Sequence, residues 1–346
     1  MSLFNGIFFH SVGAAGASLC YTPQKKVKGW AWQTYWLAQA AICWLILPLF
    51  IAWVTIPELF RVLHESPSSA MWHSFLYGMA YGIGGTAFGM AIRYVGYSLT
   101  YAIAVGISCV VGTLLPPIMN GTLAETLKGN GSGYIVSGIV MGALGIAICG
   151  IAGRNKEKDI EKRQQQGNVV FSLSKGLPLC ILAGVLSALY GFAIAEGAPI
   201  ATVAEQYGAG NFKINVVYIF SNTGAFVTTF FYCLYLHIKE KTFGEYTAST
   251  KVLGTNFIMA MITGVLWYFQ FFFYGLGHVN LGKYQFSSWA IHMVMLVFFS
   301  ALAGLLMKEW KMCSNKTLQL LALALAILIA SVLVLTYGNY LGGLKV

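Results

Sequence analysis

Ten apolar runs divide this chain of 346 residues, at 3–22, 34–54, 72–92, 97–119, 134–153, 175–195, 214–236, 254–276, 284–307 and 317–337. Each is about as long as a helix rising about 1.5 Å per residue must be to cross a hydrocarbon layer ~30 Å thick. Lipid cannot hydrogen-bond an exposed backbone, so only helices and closed barrels cross it. Unbroken apolar runs are the helical pattern, unlike the alternation of barrel strands. Composition agrees: 58% of the residues are hydrophobic and 9% charged, against roughly 25% charged in a soluble domain. The expected fold is therefore an all-α integral membrane protein with ten transmembrane helices.

The basic residues orient these helices. Of 21 Lys and Arg, five (Arg61, Lys128, Lys213, Lys283 and Lys345) follow even-numbered runs, and the other 16 follow odd-numbered ones. Positive-inside bias then places the odd loops in the cytoplasm and both termini outside, in the periplasm if the membrane is a bacterial inner membrane. Topology thus accounts for the net charge of +10, and no nucleic-acid partner is needed. A cleavable signal peptide carries its positive charge before the apolar stretch. Here Lys25, Lys26 and Lys28 come after it, so the first helix is expected to be retained.

The chain reads as two halves. Residues 154–174, RNKEKDIEKRQQQGNVVFSLS, are the most polar stretch and separate an N-terminal five-helix repeat (1–153) from a C-terminal one (175–346). Ser18-Leu19-Cys20-Tyr21 in the first run and Ser187-Ala188-Leu189-Tyr190 in the sixth are offset by 169 positions, near half the length. Because five spans is an odd number, the halves would be inverted relative to each other. That is the plan of many secondary transporters, whose substrates bind near the midplane. Gly78, Gly82, Gly85 and Gly89 in the third run, and Gly138, Gly142, Gly145, Gly150 and Gly153 in the fifth, have the spacing that lets helix backbones approach closely. Pro116-Pro117 should break or end the fourth helix. The seven cysteines are scattered without metal-ligand spacing and read as packing residues, so neither a metal nor a cofactor is expected.

Well inside the runs the ionisable residues are His10 and His292, with Glu196 at an expected outer helix end. Such groups are costly in a membrane unless paired or hydrated, and histidine titrates nearest to physiological pH. All three are candidates for proton coupling; the histidines could equally be neutral side chains bonded between helices, and Glu196 could be simply interfacial. Gln285, Ser288, Trp289 and His292 occupy relative positions 0, 3, 4 and 7 and share a helix face. With a helix starting near Tyr284, His292 would sit ~12 Å inside it.

A second face carries Trp267, Gln270 and Tyr274 at positions 0, 3 and 7. Sugar rings stack their C–H faces on indole and phenol, and their hydroxyls need fixed donors and acceptors. These two faces, with Tyr81 and Tyr190, therefore form a candidate sugar site. The opposing reading for Trp267 and Trp289 is an interfacial belt. No HExxH, GxSxG or GxxxxGK[ST] pattern is present, and His64-Glu65 lacks a second histidine, so an enzyme is not expected.

WYFQFFFYGLGHVNLGKYQFSSWAIH at 267–292, PQKKVKGWAWQTYW at 23–36, AIRYVGYS at 91–98 and LLMKEW at 305–310 resemble the L-rhamnose–proton symporter family of the drug/metabolite transporter superfamily. The resemblance runs through essentially the whole chain. It implies a ten-helix inner-membrane importer of L-rhamnose, or a related L-sugar, driven by the inward proton gradient. It also implies an acidic residue where this chain has Gln285. The expected partners are a small sugar, protons and the lipid bilayer. An uncoupled facilitator or metabolite exporter on the same fold is the alternative.

Overall fold

The computed structural model describes residues 3–95, 100–119, 121, 123–163, 173–248, 252–282, 287–306, 308 and 310–343. Among these residues the regular structure is entirely helical. The helices are α1 (Leu3–Leu19), α2 (Trp32–Ala40), α3 (Leu47–Thr55), α4 (Leu59–Glu65), α5 (Ser68–Val95), α6 (Gly106–Met119) and α7 (Leu123–Lys128). They continue with α8 (Ser132–Arg163), α9 (Leu173–Glu196), α10 (Ala198–Gln206), α11 (Asn215–Glu240), α12 (Leu253–Leu281), α13 (Ser288–Leu306) and α14 (Asn315–Gly343). Among the described residues nine helical stretches are long and apolar enough to cross a membrane, and the chain is a multi-pass membrane protein. The fourth expected span appears as a shorter apolar helix, Tyr101–Gly112, and residues 96–99 before it lie outside the described residues.

Two segments wind more widely than an α-helix. Ala41–Ile46 joins α2 to α3 as a π-helix, and Tyr101–Val105 leads into α6 in the same form. Single π turns inside α-helices occur frequently at functional sites. Helix α6 ends at Met119, two residues beyond Pro116-Pro117. Helix α8 continues through Arg163, so the first part of the charged strip extends the fifth span; residues 164–172 lie outside the described residues.

The chain forms two compact units. The first comprises Met1–Ser18, Gly84–Ala188 and Asn280–Val346. Its longest helix pairing sets α8 along α14. A Cβ on Gly138 would stand 2.6 Å from Leu335, and one on Gly142 would stand 2.8 Å from Val294 and 2.9 Å from Ser331, so the absent side chains set the approach. Ser331 Oγ then donates to the Gly138 carbonyl at 2.7 Å. At the start of α14, the Asp159 carboxylate accepts from the Ser314 amide (2.8 Å) and the Thr317 hydroxyl (2.7 Å), satisfying groups that a helix start leaves open.

The second unit comprises Leu19–Ile83 and Leu189–Val279. Here α11 packs against α2, the π segment and α3. It meets α5 where a Cβ on Gly78 would lie 2.0 Å from the Ser221 carbonyl oxygen and one on Gly224 2.1 Å from that of Phe75. The segment Phe243–Tyr246 closes over the start of α2, where Glu245 Oε2 accepts from the Ala31 amide (2.7 Å) and the Thr34 hydroxyl. His237 binds the same segment through Thr242 (2.7 Å) and Tyr246 (3.1 Å). Helices α11 and α12 run past the ends of their apolar runs, which brings His237 and His278 within their helices as well.

Candidate functional site

The second unit gathers an aromatic cage. On α12, Trp267, Tyr268, Phe271 and Tyr274 recur at the spacing of one buried helix face. Trp267 lies 5.2 Å from Trp44, 5.6 Å from Trp36 and 5.3 Å from Tyr21, measured between ring centroids. Tyr81, on α5, stands 6.0 Å from Trp44 and 4.6 Å from Tyr190, on α9. Phe271 closes the far side at 4.9 Å from Tyr190. Edge-to-face and tilted pairs at these separations are the favoured aromatic geometries. Three residues of the expected sugar site, Trp267, Tyr81 and Tyr190, thus belong to one cluster. Tyr274 lies further along α12, stacked on His278 at 5.6 Å, and Gln270 is half-buried on the flank of the same helix.

The π turn determines which side chains of the second span enter the cage. On an uninterrupted α-helix Trp44, eight positions after Trp36, would point ~80° away from it. The wider turn takes up about one extra residue and returns Trp44 to that face, so both indoles meet Trp267. Gln39 lies between them and is fully buried. A Cβ on Gly264 would come within 2.9 Å of the Gln39 carbonyl oxygen, so the missing side chain there lets α12 approach α2.

The polar atoms of the cage fall into two sets. Tyr190 donates its hydroxyl to Asn222 Oδ1 at 2.6 Å, and Tyr218 donates to the Phe271 carbonyl at 2.6 Å. By contrast Trp36 Nε1, Trp44 Nε1, both amide atoms of Gln39, Asn222 Nδ2 and the Tyr268 hydroxyl are buried without a hydrogen-bond partner among the described residues. Sequence reasoning missed Trp36, Gln39, Trp44, Asn222 and Tyr268. For Trp36, Gln39 and Trp44 the signal was present in WQTYWLAQAAICW, but an α-helical period does not superpose Trp44 on Trp36.

The first unit holds the other candidates. His10 Nε2 and Ser288 Oγ are hydrogen-bonded at 2.9 Å, and the His10 and His292 rings lie 5.5 Å apart, all three residues being fully buried. Ser11 donates to Met295 Sδ at 3.4 Å beside them. The two histidines proposed for proton coupling are thereby neighbours. Trp289 donates its indole N–H to the Ser108 carbonyl at 2.9 Å. Its ring covers Gly112, where a Cβ would stand 2.5 Å from Nε1. Gln285 lies outside the described residues. Glu196, in the second unit, is 45% exposed and paired with His73 Nδ1 at 3.0 Å.

The geometry therefore groups an uncharged aromatic cluster in the second unit, and separately a buried pair of imidazole rings in the first. Comparison with known proteins bears on the same chemistry. A family model described as L-rhamnose-proton symport protein matches residues 1–339. The chain is 32% identical over 329 residues to a protein of Pectobacterium atrosepticum named L-rhamnose-proton symporter, covering 94% of each chain. It is 32% identical over 333 residues to one of the same name from Mannheimia succiniciproducens, covering 95% of this chain and 96% of that one. A third, from an Enterobacter species, is 31% identical over 329 residues, again 94% of each. With a family match along nearly its whole length and relatives of equal span, the chain belongs to the L-rhamnose-proton symport protein family.

Proposed function

We propose that this protein imports L-rhamnose, or a closely related 6-deoxy L-sugar, by proton symport across the bacterial inner membrane. The observation that carries the reading is the family match over residues 1–339, joined by relatives of the same length that bear the name L-rhamnose-proton symporter. The chemistry of both units supports it. The sugar ring stacks within the aromatic cluster of Trp267, Tyr81 and Tyr190, with Gln270 and Tyr274 on the same helix as Trp267 and with Gln285, Ser288 and Trp289 as further candidates. His292 carries the coupled proton, with His10 and then Glu196 as alternates.

The same proposal holds that ten helices form two inverted five-helix repeats, 1–153 and 175–346, joined by a cytoplasmic strip, with both termini in the periplasm. Support comes from the asymmetry of the basic residues and from the unit boundaries. Two of the four boundaries fall at the related segments, between Ser18 and Leu19 and between Ala188 and Leu189. Ile160→Cys in a cysteine-free background tests the orientation. It should react with an impermeant thiol reagent only after the cells are opened, and labelling from outside intact cells would reverse the assignment.

The function is tested by uptake into proteoliposomes. An inward proton gradient should drive L-rhamnose above its external concentration, and collapsing the gradient should reduce the flux to equilibration. Uptake that never exceeds equilibration under an imposed gradient would identify an uncoupled facilitator instead.

A further inference from the structure

Buried polar atoms are paired almost everywhere in folded proteins, and those that are not require an explanation. Six such atoms belong to five residues of the second unit's cage: Trp36 Nε1, Gln39 Nε2 and Oε1, Trp44 Nε1, Asn222 Nδ2 and the Tyr268 hydroxyl. Apolar side chains of similar shape would fill these positions without the desolvation penalty. Gln39 is the extreme case, fully buried with neither amide atom bonded among the described residues. Packing alone gives no reason for an amide at that point.

The donor set defines what would satisfy these atoms. An indole N–H can only donate, and Asn222 turns its NH2 away from the oxygen already occupied by Tyr190, leaving another donor. Gln39 adds one donor and one acceptor, and the Tyr268 hydroxyl can act as either. The set is rich in donors and contains no Lys, Arg, Asp or Glu. It matches a neutral ring bearing several hydroxyl oxygens and offers no counter-charge to a sugar acid, an amino acid or a phosphate. The surrounding rings of Trp267, Tyr81 and Tyr190 provide the stacking faces.

We infer that Gln39, Trp36, Trp44, Asn222 and Tyr268 form the hydroxyl-reading side of a site for a neutral monosaccharide, with Gln39 as its specificity-determining residue. This deepens the proposed function and rests on it for the identity of the sugar. The inference follows from two independent observations, the unpartnered amide atoms and the π turn that brings both indoles to the face of α2 carrying Trp36.

The test uses the purified full-length protein in detergent, with equilibrium binding of L-rhamnose and of its 2-, 3- and 4-deoxy analogues, together with thermal unfolding. Gln39→Leu should unfold at or above the wild-type temperature without sugar, because an orphaned amide has been replaced by an apolar side chain. Its affinity for L-rhamnose should fall about tenfold to a hundredfold, the effect of one lost hydrogen-bonded partner in a desolvated site. One deoxy analogue should bind the wild type correspondingly weakly and lose nothing further in Gln39→Leu, since the two changes remove the same bond. L-Rhamnonate should not compete. Asn222→Leu serves as the second variant, with its own analogue.

Wild-type affinity in Gln39→Leu, or a lower unfolding temperature with affinity retained, would make the amide structural and overturn the inference while leaving the transport reading intact. Effective competition by L-rhamnonate would overturn the neutral-ligand assignment. A wild-type protein that binds a different neutral sugar in place of L-rhamnose, with Gln39→Leu weakening it, would support this site and overturn the substrate.

Discussion

The second unit's cage and the first unit's histidine cluster are both buried, yet they handle polarity in opposite ways. In the cage, stiff aromatic side chains surround amide and indole groups whose hydrogen-bonding capacity is left open among the described residues. In the histidine cluster, His10 is bonded to Ser288 and its ring lies edge-on to that of His292, within helices that pack closely through glycines. Recognising a neutral sugar calls for donors and acceptors held at fixed angles and free to meet hydroxyls. Holding and releasing a proton calls for a titratable group with a hydrogen-bonding neighbour. Symport requires both, linked so that each ligand raises the affinity for the other by the same factor.

The largest effect should come from separating these roles. His292→Gln should abolish uphill accumulation while sparing exchange of labelled for unlabelled sugar, because exchange needs no net proton movement. Proteoliposomes measured in both modes decide it. If accumulation survives at the wild-type pH dependence, His292 is structural and the coupling role passes to His10 and then to Glu196.

Next comes Trp267→Ala, which removes the ring touching Trp36, Trp44 and Tyr21. A deletion of this size in a packed interior costs about 3–5 kcal/mol of stability, and sugar binding should be lost with the stacking face. Thermal unfolding and equilibrium binding report the two effects separately; binding retained in the folded variant would remove Trp267 from the site. Gln270→Ala should weaken sugar affinity by roughly tenfold to a hundredfold, or ~1–3 kcal/mol. Unchanged affinity at normal membrane levels would confine the site to the other residues of the cage.

Trp289→Phe sharpens the contrast from the other side. It strips the Ser108 carbonyl of its indole donor, at a cost of about 1–3 kcal/mol if the oxygen stays buried. As a candidate of the sugar site, Trp289 should lose sugar affinity in this variant as well. Unchanged affinity in the folded protein would remove Trp289 from the site.

The spans were legible because membrane burial acts on composition over some twenty residues at once. The long helices coincide with the apolar runs; α11 and α12 continue past theirs and carry His237 and His278 inside, while a π segment interrupts the second span and the fourth appears as a shorter helix. The candidate site was legible in part. Trp267 stood out on a face shared with Gln270 and Tyr274, Tyr81 and Tyr190 were named beside it, and the structure joins these three rings in one cluster. Trp36 and Trp44 did not, because a helical wheel assumes one period and the π turn between them breaks it. Gln39 was obscured for a different reason, as a single amide in an apolar run gains meaning only from what surrounds it.

Hydropathy, charge asymmetry and the long resemblance were enough to establish a membrane-spanning helical protein and its family, since each depends on the order of residues along the chain and not on which side chains meet. The pairing of His10 with Ser288 and His292, the closure of the tryptophans around Trp267, and the orphaned amide of Gln39 depend on contacts between residues far apart in the chain, 278 positions for His10 and Ser288. No local pattern encodes those contacts. They arise because small residues such as Gly78, Gly224 and Gly264 let particular helices approach, and because one π turn shifts the face that the second span presents.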